Sequence, residues 1–275
     1  MPSAGTGAEI APSFAAYKSI VAYDGTEFEG FQRQVSGRRT VQGEIEEALT
    51  RIGWKGKSLR AAGRTDQGVH ALGQVIGYRL EWRYGLEELT RALNANLPAD
   101  IAVRRTEAVS PEFHPRFSAI SRRYRYTLLI DPVRDPLQER YAWRLDTRPD
   151  LEQMNQAADE LVGQKDFGAF GTAPVQGGHT RRNVQHACWN EDRSKLRFEI
   201  EADAFLYHMV RRVVALLVAV GQERESLDGL AQMLQEPGVV WQGRLAPACG
   251  LCLMGVRYGR TDPVSSYESK VEMQE

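Results

Sequence analysis

The chain predicts an α+β fold in which two similar halves merge a mixed, largely antiparallel sheet and cover it with helices. Strand-like runs alternate with single amphipathic helices, and the order β-α-β-β-α-β can be read twice. The first half opens with a strand over Lys18–Tyr23, then a helix over Val41–Ile52 whose Val41, Ile45, Ala48, Leu49 and Ile52 share one apolar face, with Thr40 placed to cap it. Strands at Ser58–Ala62 and Leu72–Leu80, a helix over Leu86–Leu97 and a strand over Ile101–Thr106 complete it. The second half runs strand Arg123–Ile130, helix Leu151–Val162, strands Thr180–Trp189 and Leu196–Ala202, helix Phe205–Val220, a short helix Leu227–Leu234 and a last strand over Leu251–Tyr258.

These halves span residues 17–112 and 113–260. The Gly/Ala/Ser/Pro-rich residues 1–16 read as a disordered tail without the basic start and apolar core of an export signal, and the polar residues 261–275 as a second loose tail. The longest apolar run, Val213–Val220, is too short to span a bilayer and reads as a buried helix.

With 275 residues and 42% hydrophobic content the chain can bury substantial cores. Its 35 basic and 36 acidic residues leave a net charge of -1, so bulk charge does not point to a nucleic-acid partner. A nucleic-acid binder of this composition must sort its charge by face, and arginines do cluster at Arg122-Arg123-x-Arg125, Arg181-Arg182 and Arg211-Arg212. Each cluster alone reads as solvated surface; only a resemblance to an RNA-acting family makes them candidate phosphate contacts.

Three cysteines suit a reducing cytoplasm and build no disulfide framework. Cys249-Gly-Leu-Cys252 lacks a second CxxC or a histidine pair, and residues three apart in a strand point to opposite faces, which favours two packed thiols over a metal site. His179 and His186 read as loop and surface residues, and no metal is expected. Gly53-Trp-Lys-Gly-Lys-Ser58 ends like a phosphate-binding loop, but Arg51 stands where the pattern needs glycine; no nucleotide cofactor is implied.

The most informative stretch is Ala62-Gly-Arg-Thr-Asp-Gln-Gly-Val-His-Ala71, a glycine-bounded connection between two strands. Arg64 and Asp66, two apart in extended chain, can share a face, so the guanidinium would hold and orient the carboxylate as a nucleophile or general base. The alternative is a structural ion pair stapling a hairpin.

That stretch resembles the signature of the TruA family of tRNA pseudouridine synthases, and the resemblance extends from about Tyr17 to Tyr258. Its further blocks are Tyr23-Asp-Gly-Thr-Glu-Phe-Glu-Gly-Phe-Gln-Arg-Gln34, Thr40-Val-Gln-Gly-Glu44, Phe113-His-Pro-Arg-Phe-Ser-Ala119, Arg123-Tyr-Arg-Tyr126, Phe205-Leu-Tyr-His-Met-Val-Arg211 and Pro247-Ala-Cys-Gly-Leu251. Phe31 stands where tryptophan is usual, and Lys165-Asp-Phe167 replaces a more familiar His-Asp-Phe.

The resemblance implies the pseudouridine synthase fold, with a cleft between the halves and Asp66 as catalytic residue. It also implies isomerisation of uridine at positions 38, 39 and 40 of the tRNA anticodon stem-loop, no metal, no cofactor, and a homodimer whose joint surface holds the tRNA. The uridine would be flipped out of its stack before the glycosidic bond is reached. Tyr124 would stack on the base or take the C5 proton, Arg64 would fill the vacated space, clamp the backbone or orient Asp66, and Arg211 would pair with carboxylate or phosphate. Thr65, Arg33, Arg116, Arg123 and Arg125 are candidate supporting or RNA-binding residues. Attack at ribose C1′, attack at base C6 and elimination through a glycal all remain open. Two other classes stay in view: a non-catalytic RNA-binding protein, and an aspartate-based glycoside or nucleoside hydrolase, for which Asp24 would be the second carboxylate, although its Tyr-Asp-Gly-Thr setting favours bonding the backbone.

Overall fold

Helix starts follow the capping side chains. Thr40 accepts from the Gly43 amide at 3.3 Å, Asp150 from Glu152 and Gln153 at 2.9 and 3.0 Å, and Ser226 from Gly229 at 3.1 Å. In the computed structural model, which describes residues 14–34, 37–173, 177–236 and 238–259, these residues open α1 (Val41–Arg51), α3 (Leu151–Asp159) and α5 (Leu227–Gln235). The other helices are α2 (Leu86–Asn96) and α4 (Met209–Gly221).

The strands are β1 (Phe14–Tyr23), β2 (Arg60–Ala61), β3 (His70–Glu81), β4 (Ile101–Val109), β5 (Ala119–Ile130), β6 (Trp143–Leu145), β7 (Gly163–Asp166), β8 (Arg181–Asp192), β9 (Lys195–Ala202) and β10 (Leu251–Tyr258). They form one mixed sheet in the order β4-β1-β3-β10-β5-β9-β8-β7, with β2 beside β3 and β6 beside β5. Counted within its own β-α-β-β-α-β unit, each half runs fourth, first, third, second: β4-β1-β3-β2 in one, β10-β5-β9-β8 in the other. The two units meet where β10 lies parallel to β3, Cys252 opposite His70 and Leu253 opposite Ala71. At this seam Gly73 is required, because a Cβ there would stand 2.4 Å from the Met254 carbonyl oxygen.

Several expectations need correction. The strand expected from Lys18 starts at Phe14, since Phe14, Ala15 and Ala16 continue the ladder opposite Glu81, Leu80 and Arg79; the expected tail therefore loses its last three residues to β1. The rest of that tail, and all of 261–275, lie outside the described residues. The strand expected over Ser58–Ala62 shrinks to β2, because β2 pairs only with the far end of β3 while β10 takes the near end of the same edge. The helix expected from Phe205 starts at Met209, after His208 adopts a left-handed conformation at φ 64°. The helix expected to reach Val162 ends at Asp159 and gives way to tight turns in which the Leu161 and Val162 amides bond Ala158 and Asp159. Short β6 and polar β7 were not expected at all.

One hydrophobic cluster runs through both halves, from Tyr17, Ile45 and Leu49 to Tyr126, Phe198 and Leu217. In β9 the pattern is strict: Leu196, Phe198, Ile200 and Ala202 are buried, while Lys195, Arg197, Glu199 and Glu201 are half-buried on the other face. The apolar run Val213–Val220 is wholly buried within α4. No helix among the described residues is long and apolar enough to cross a membrane.

Candidate active site

Asp66 stands on the connection between β2 and β3, and the first half supplies what holds that connection. Thr65 is buried, with its hydroxyl 2.8 Å from the Tyr23 hydroxyl and its carbonyl accepting from the Phe31 amide at 3.0 Å. Fully buried Gln74 donates to the Gly63 carbonyl at 3.0 Å, and the Val69 amide closes a turn onto the Asp66 carbonyl at 3.2 Å. Gly30, at φ +90°, lies directly under the loop: a Cβ there would sit 3.1 Å from the Thr65 oxygen and 3.3 Å from the Gln67 amide. The block Tyr23–Gln34 thus serves the Asp66 loop as a bed. Phe31, in the place of the usual tryptophan, is buried there 6.2 Å from the Tyr23 ring.

The second half supplies the partners of the carboxylate. Arg211, in the first turn of α4, brings Nη1 to 3.2 Å from Asp66 Oδ2, and His208 Nε2 lies 3.4 Å from the same oxygen. Arg211 is itself fixed by donation from Nε to the Ala246 carbonyl at 2.8 Å. Among the described residues Oδ1 of Asp66 takes no hydrogen bond, so the carboxylate is oriented through one oxygen and free at the other. Burial lowers the proton affinity of His208, the Asp66 charge opposes this, and Arg211 and Arg212 add to the lowering, so its ring is neutral near neutral pH.

Tyr124, on β5, is buried and packs edge-on against Phe205 at 5.1 Å. Burial pushes its hydroxyl well above the ordinary tyrosine value; Arg122 draws it partly back, and the nearby Asp66 charge adds to the rise. The phenol is therefore protonated at neutral pH.

Arg122 ties these parts together. Its Nη1 donates to the Asp203 carbonyl at 2.7 Å, and its Nη2 to the Ala62 carbonyl at 3.1 Å and the Arg116 carbonyl at 2.5 Å. One half-buried guanidinium thus joins the base of the Asp66 loop, the 113–118 segment and the end of β9.

The other candidates are placed differently from expectation. Arg64 is exposed and, among the described residues, does not pair with Asp66; Arg211, which follows 145 residues later, takes that place. Thr65 faces inward and supports the loop. Arg33 pairs with Glu46 at 3.2 Å and bonds the Lys57 carbonyl. Arg123 and Arg125 alternate with Tyr124 along β5 and so lie on the opposite face of the sheet, where Arg125 pairs with Glu199 at 2.8 Å. Arg116 is exposed on the 113–118 segment.

Asp24 is occupied: it accepts from the Thr26 amide and hydroxyl, Arg140 and Tyr141, and lies 3.1 Å from His70, so it is not a free second carboxylate. Burial alone would raise it, but those donors hold it well below the usual carboxylate range. Cys249 and Cys252 are free thiols; burial pushes Cys252 up to about 12. A cavity of about 460 Å3 lined by Leu72, Arg125, Arg197 and Cys252 lies across the sheet from Tyr124 and does not include Asp66.

Sequence reasoning missed His208, Tyr23, Gln74 and the bridging role of Arg122. For Arg122 a signal existed, since it shares strand parity with Tyr124 and Tyr126; His208 stood within the Phe205–Arg211 block, but its place beside Asp66 depends on a left-handed turn that no local pattern announces.

Known proteins resemble this chain over most of its length. The family model described as "tRNA pseudouridine synthase" matches residues 19–118 and 157–259. A tRNA pseudouridine synthase A of Neisseria meningitidis serogroup C is 39% identical over 238 residues, 86% of this chain and 90% of its own. Those of Geobacter sp. (strain M21) and Moorella thermoacetica are 39% and 40% identical over 242 residues, 88% of this chain and 98% of theirs. With the match spread over both halves and including the Asp66 loop, the chain belongs to the tRNA pseudouridine synthase family.

Proposed function

We propose that this protein isomerises uridine to pseudouridine at positions 38, 39 and 40 of the tRNA anticodon stem-loop, without metal or cofactor, as a cytoplasmic homodimer. The observation that carries the reading is the Asp66 carboxylate, offered by one half on a braced loop and gripped by Arg211 of the other half beside buried Tyr124.

The reaction breaks N1–C1′, forms C5–C1′, removes the proton from C5 and leaves one on N1, so nothing outside the nucleotide is consumed. Asp66, with Oδ2 held and Oδ1 open, acts as the nucleophile or as the group that starts elimination. Tyr124 offers an aromatic face to the flipped base. Being protonated at rest, it accepts the C5 proton only if its own proton is passed on, and its first task is positioning. Exposed Arg64 is free to occupy the space the base vacates or to clamp the backbone, and Arg116 to meet phosphate. Three adjacent targets require recognition by shape and backbone rather than by a base-specific pocket.

Incubation of the purified protein with unmodified tRNA, followed by carbodiimide mapping, tests this. The expected result is new marks at positions 38 to 40, lost in Asp66→Asn while tRNA affinity stays close to wild type. Marks retained in Asp66→Asn would remove that residue from the chemistry; tight binding without marks in the wild type would favour a non-catalytic RNA-binding protein.

A further inference from the structure

Phe117 is an apolar ring kept in water by a rigid frame. Its side chain is 76% exposed, yet its segment is closely bonded. His114 Nδ1 accepts from the Arg116 and Phe117 amides at 3.2 and 3.4 Å, Ser118 bonds back to His114 through both its amide and its hydroxyl, and the Tyr258 hydroxyl donates to the Pro115 carbonyl at 2.8 Å. The Phe117 ring lies on the His114 imidazole, centroids 4.3 Å apart, with the Arg116 guanidinium 5.7 Å from its centre. A loose loop would fold such a ring inward. This one cannot.

The surroundings are basic. Arg60, opposite Gly77 in the β2–β3 pair, lines one groove with Phe113 and Pro115, and burial together with the Arg60 and Arg116 charges lowers the proton affinity of His114. Among the described residues neither pairs with a carboxylate. The platform is also tied to the active site, because Arg122 Nη2 donates both to the carbonyl of Arg116, just before Phe117, and to that of Ala62, at the base of the Asp66 loop.

We propose that Phe117, backed by His114 and flanked by Arg60 and Arg116, is a stacking platform for one unpaired nucleobase of the RNA substrate, next to the nucleotide delivered to Asp66. A ring stacked on a second ring offers one open face, which suits the π-face of any base, while the arginines meet the adjoining phosphates. The platform thus recognises an unstacked base without reading its identity. This rests on the RNA substrate proposed above.

The test uses the full-length protein and an anticodon stem-loop RNA, intact or with a single abasic site at each loop position in turn. Affinity is read by fluorescence anisotropy and pseudouridine formation by single-turnover kinetics. Phe117→Ala, at an exposed position, is expected to melt with the wild type, to weaken RNA binding about ten-fold, and to raise the half-saturating protein concentration far more than it lowers the maximal rate. Phe117→Tyr should restore binding. One abasic position should weaken the wild type by a similar factor and cost Phe117→Ala nothing more, which identifies the stacked nucleotide. Unchanged affinity in Phe117→Ala, additive losses at every abasic position, or loss of self-association instead of RNA affinity would overturn the proposal. If the wild type forms no pseudouridine but Phe117→Ala still weakens RNA binding, the isomerase reading fails and the platform stands.

Discussion

Along β5, Arg122, Tyr124 and Tyr126 face the packed core and the cleft, while Arg123, Arg125 and Thr127, one residue out of phase, face the other side of the sheet. Arg122 and Arg125 carry the same group on the same strand, and their surroundings give them opposite tasks. Arg122 has three carbonyl partners from three separate segments and acts as a bolt. Arg125 pairs with Glu199, one strand away, in a partly solvated ladder. The contrast shows that a run of arginines is not one patch: strand alternation deals its members to two faces, and only the partners reveal which is structural.

The largest effect should come from breaking the cleft side. Arg122→Met leaves three carbonyls without their donor and should cost about 3 kcal/mol, since bonds to charged groups count for more than neutral ones. Arg125→Met should cost about 1 kcal/mol or less, as for a partly exposed ion pair. Urea denaturation of the two variants decides this; equal losses would abolish the distinction between the faces.

A smaller effect sharpens the role of the bed under the loop. Gly30→Ala meets both an unfavourable φ and the Thr65 oxygen, whereas Gly37→Ala, at φ +67°, meets nothing within 4 Å. Gly37→Ala should cost about 1 kcal/mol. Gly30→Ala should cost more and also slow the single-turnover rate, because it moves the Asp66 loop; a rate as fast as that of Gly37→Ala would detach the loop's position from its support.

The smallest effect concerns pH. The folded-state value of Tyr124 lies above its ordinary value of 10.0, so the folded state holds this proton more tightly than the unfolded one. The resulting stability is fully present below pH 10 and is lost as pH rises through the folded value. Tyr124→Phe should therefore flatten the fall in melting temperature above pH 10 by one group's share, while Thr127→Val, from the other face, should leave its slope unchanged.

Much of this was legible in the sequence. The Asp66 loop stood out because glycines bound it between two alternating strands, and helix α1 announced itself through Thr40. The pairing of Asp66 with Arg211 was legible only as a possibility, because a contact across 145 residues is set by how the halves dock rather than by local pattern. Arg64 was the natural local partner, and it lost to a distant one. Strand β7, Gly163–Asp166, escaped notice because its polar residues carry no alternation; the edge of the sheet made it a strand.

The seam between β3 and β10 also bears on the protein's birth. Residues of β10, among the last described, lie between β3 and β5 in the finished sheet, and the grip on Asp66 comes from residues 208 and 211. A nascent chain can complete its first β-α-β-β-α-β unit once Val109 has emerged, but it owns no assembled cleft until β10 has left the ribosome. A product of translation that stops before Leu251 therefore lacks the strand that joins the two halves.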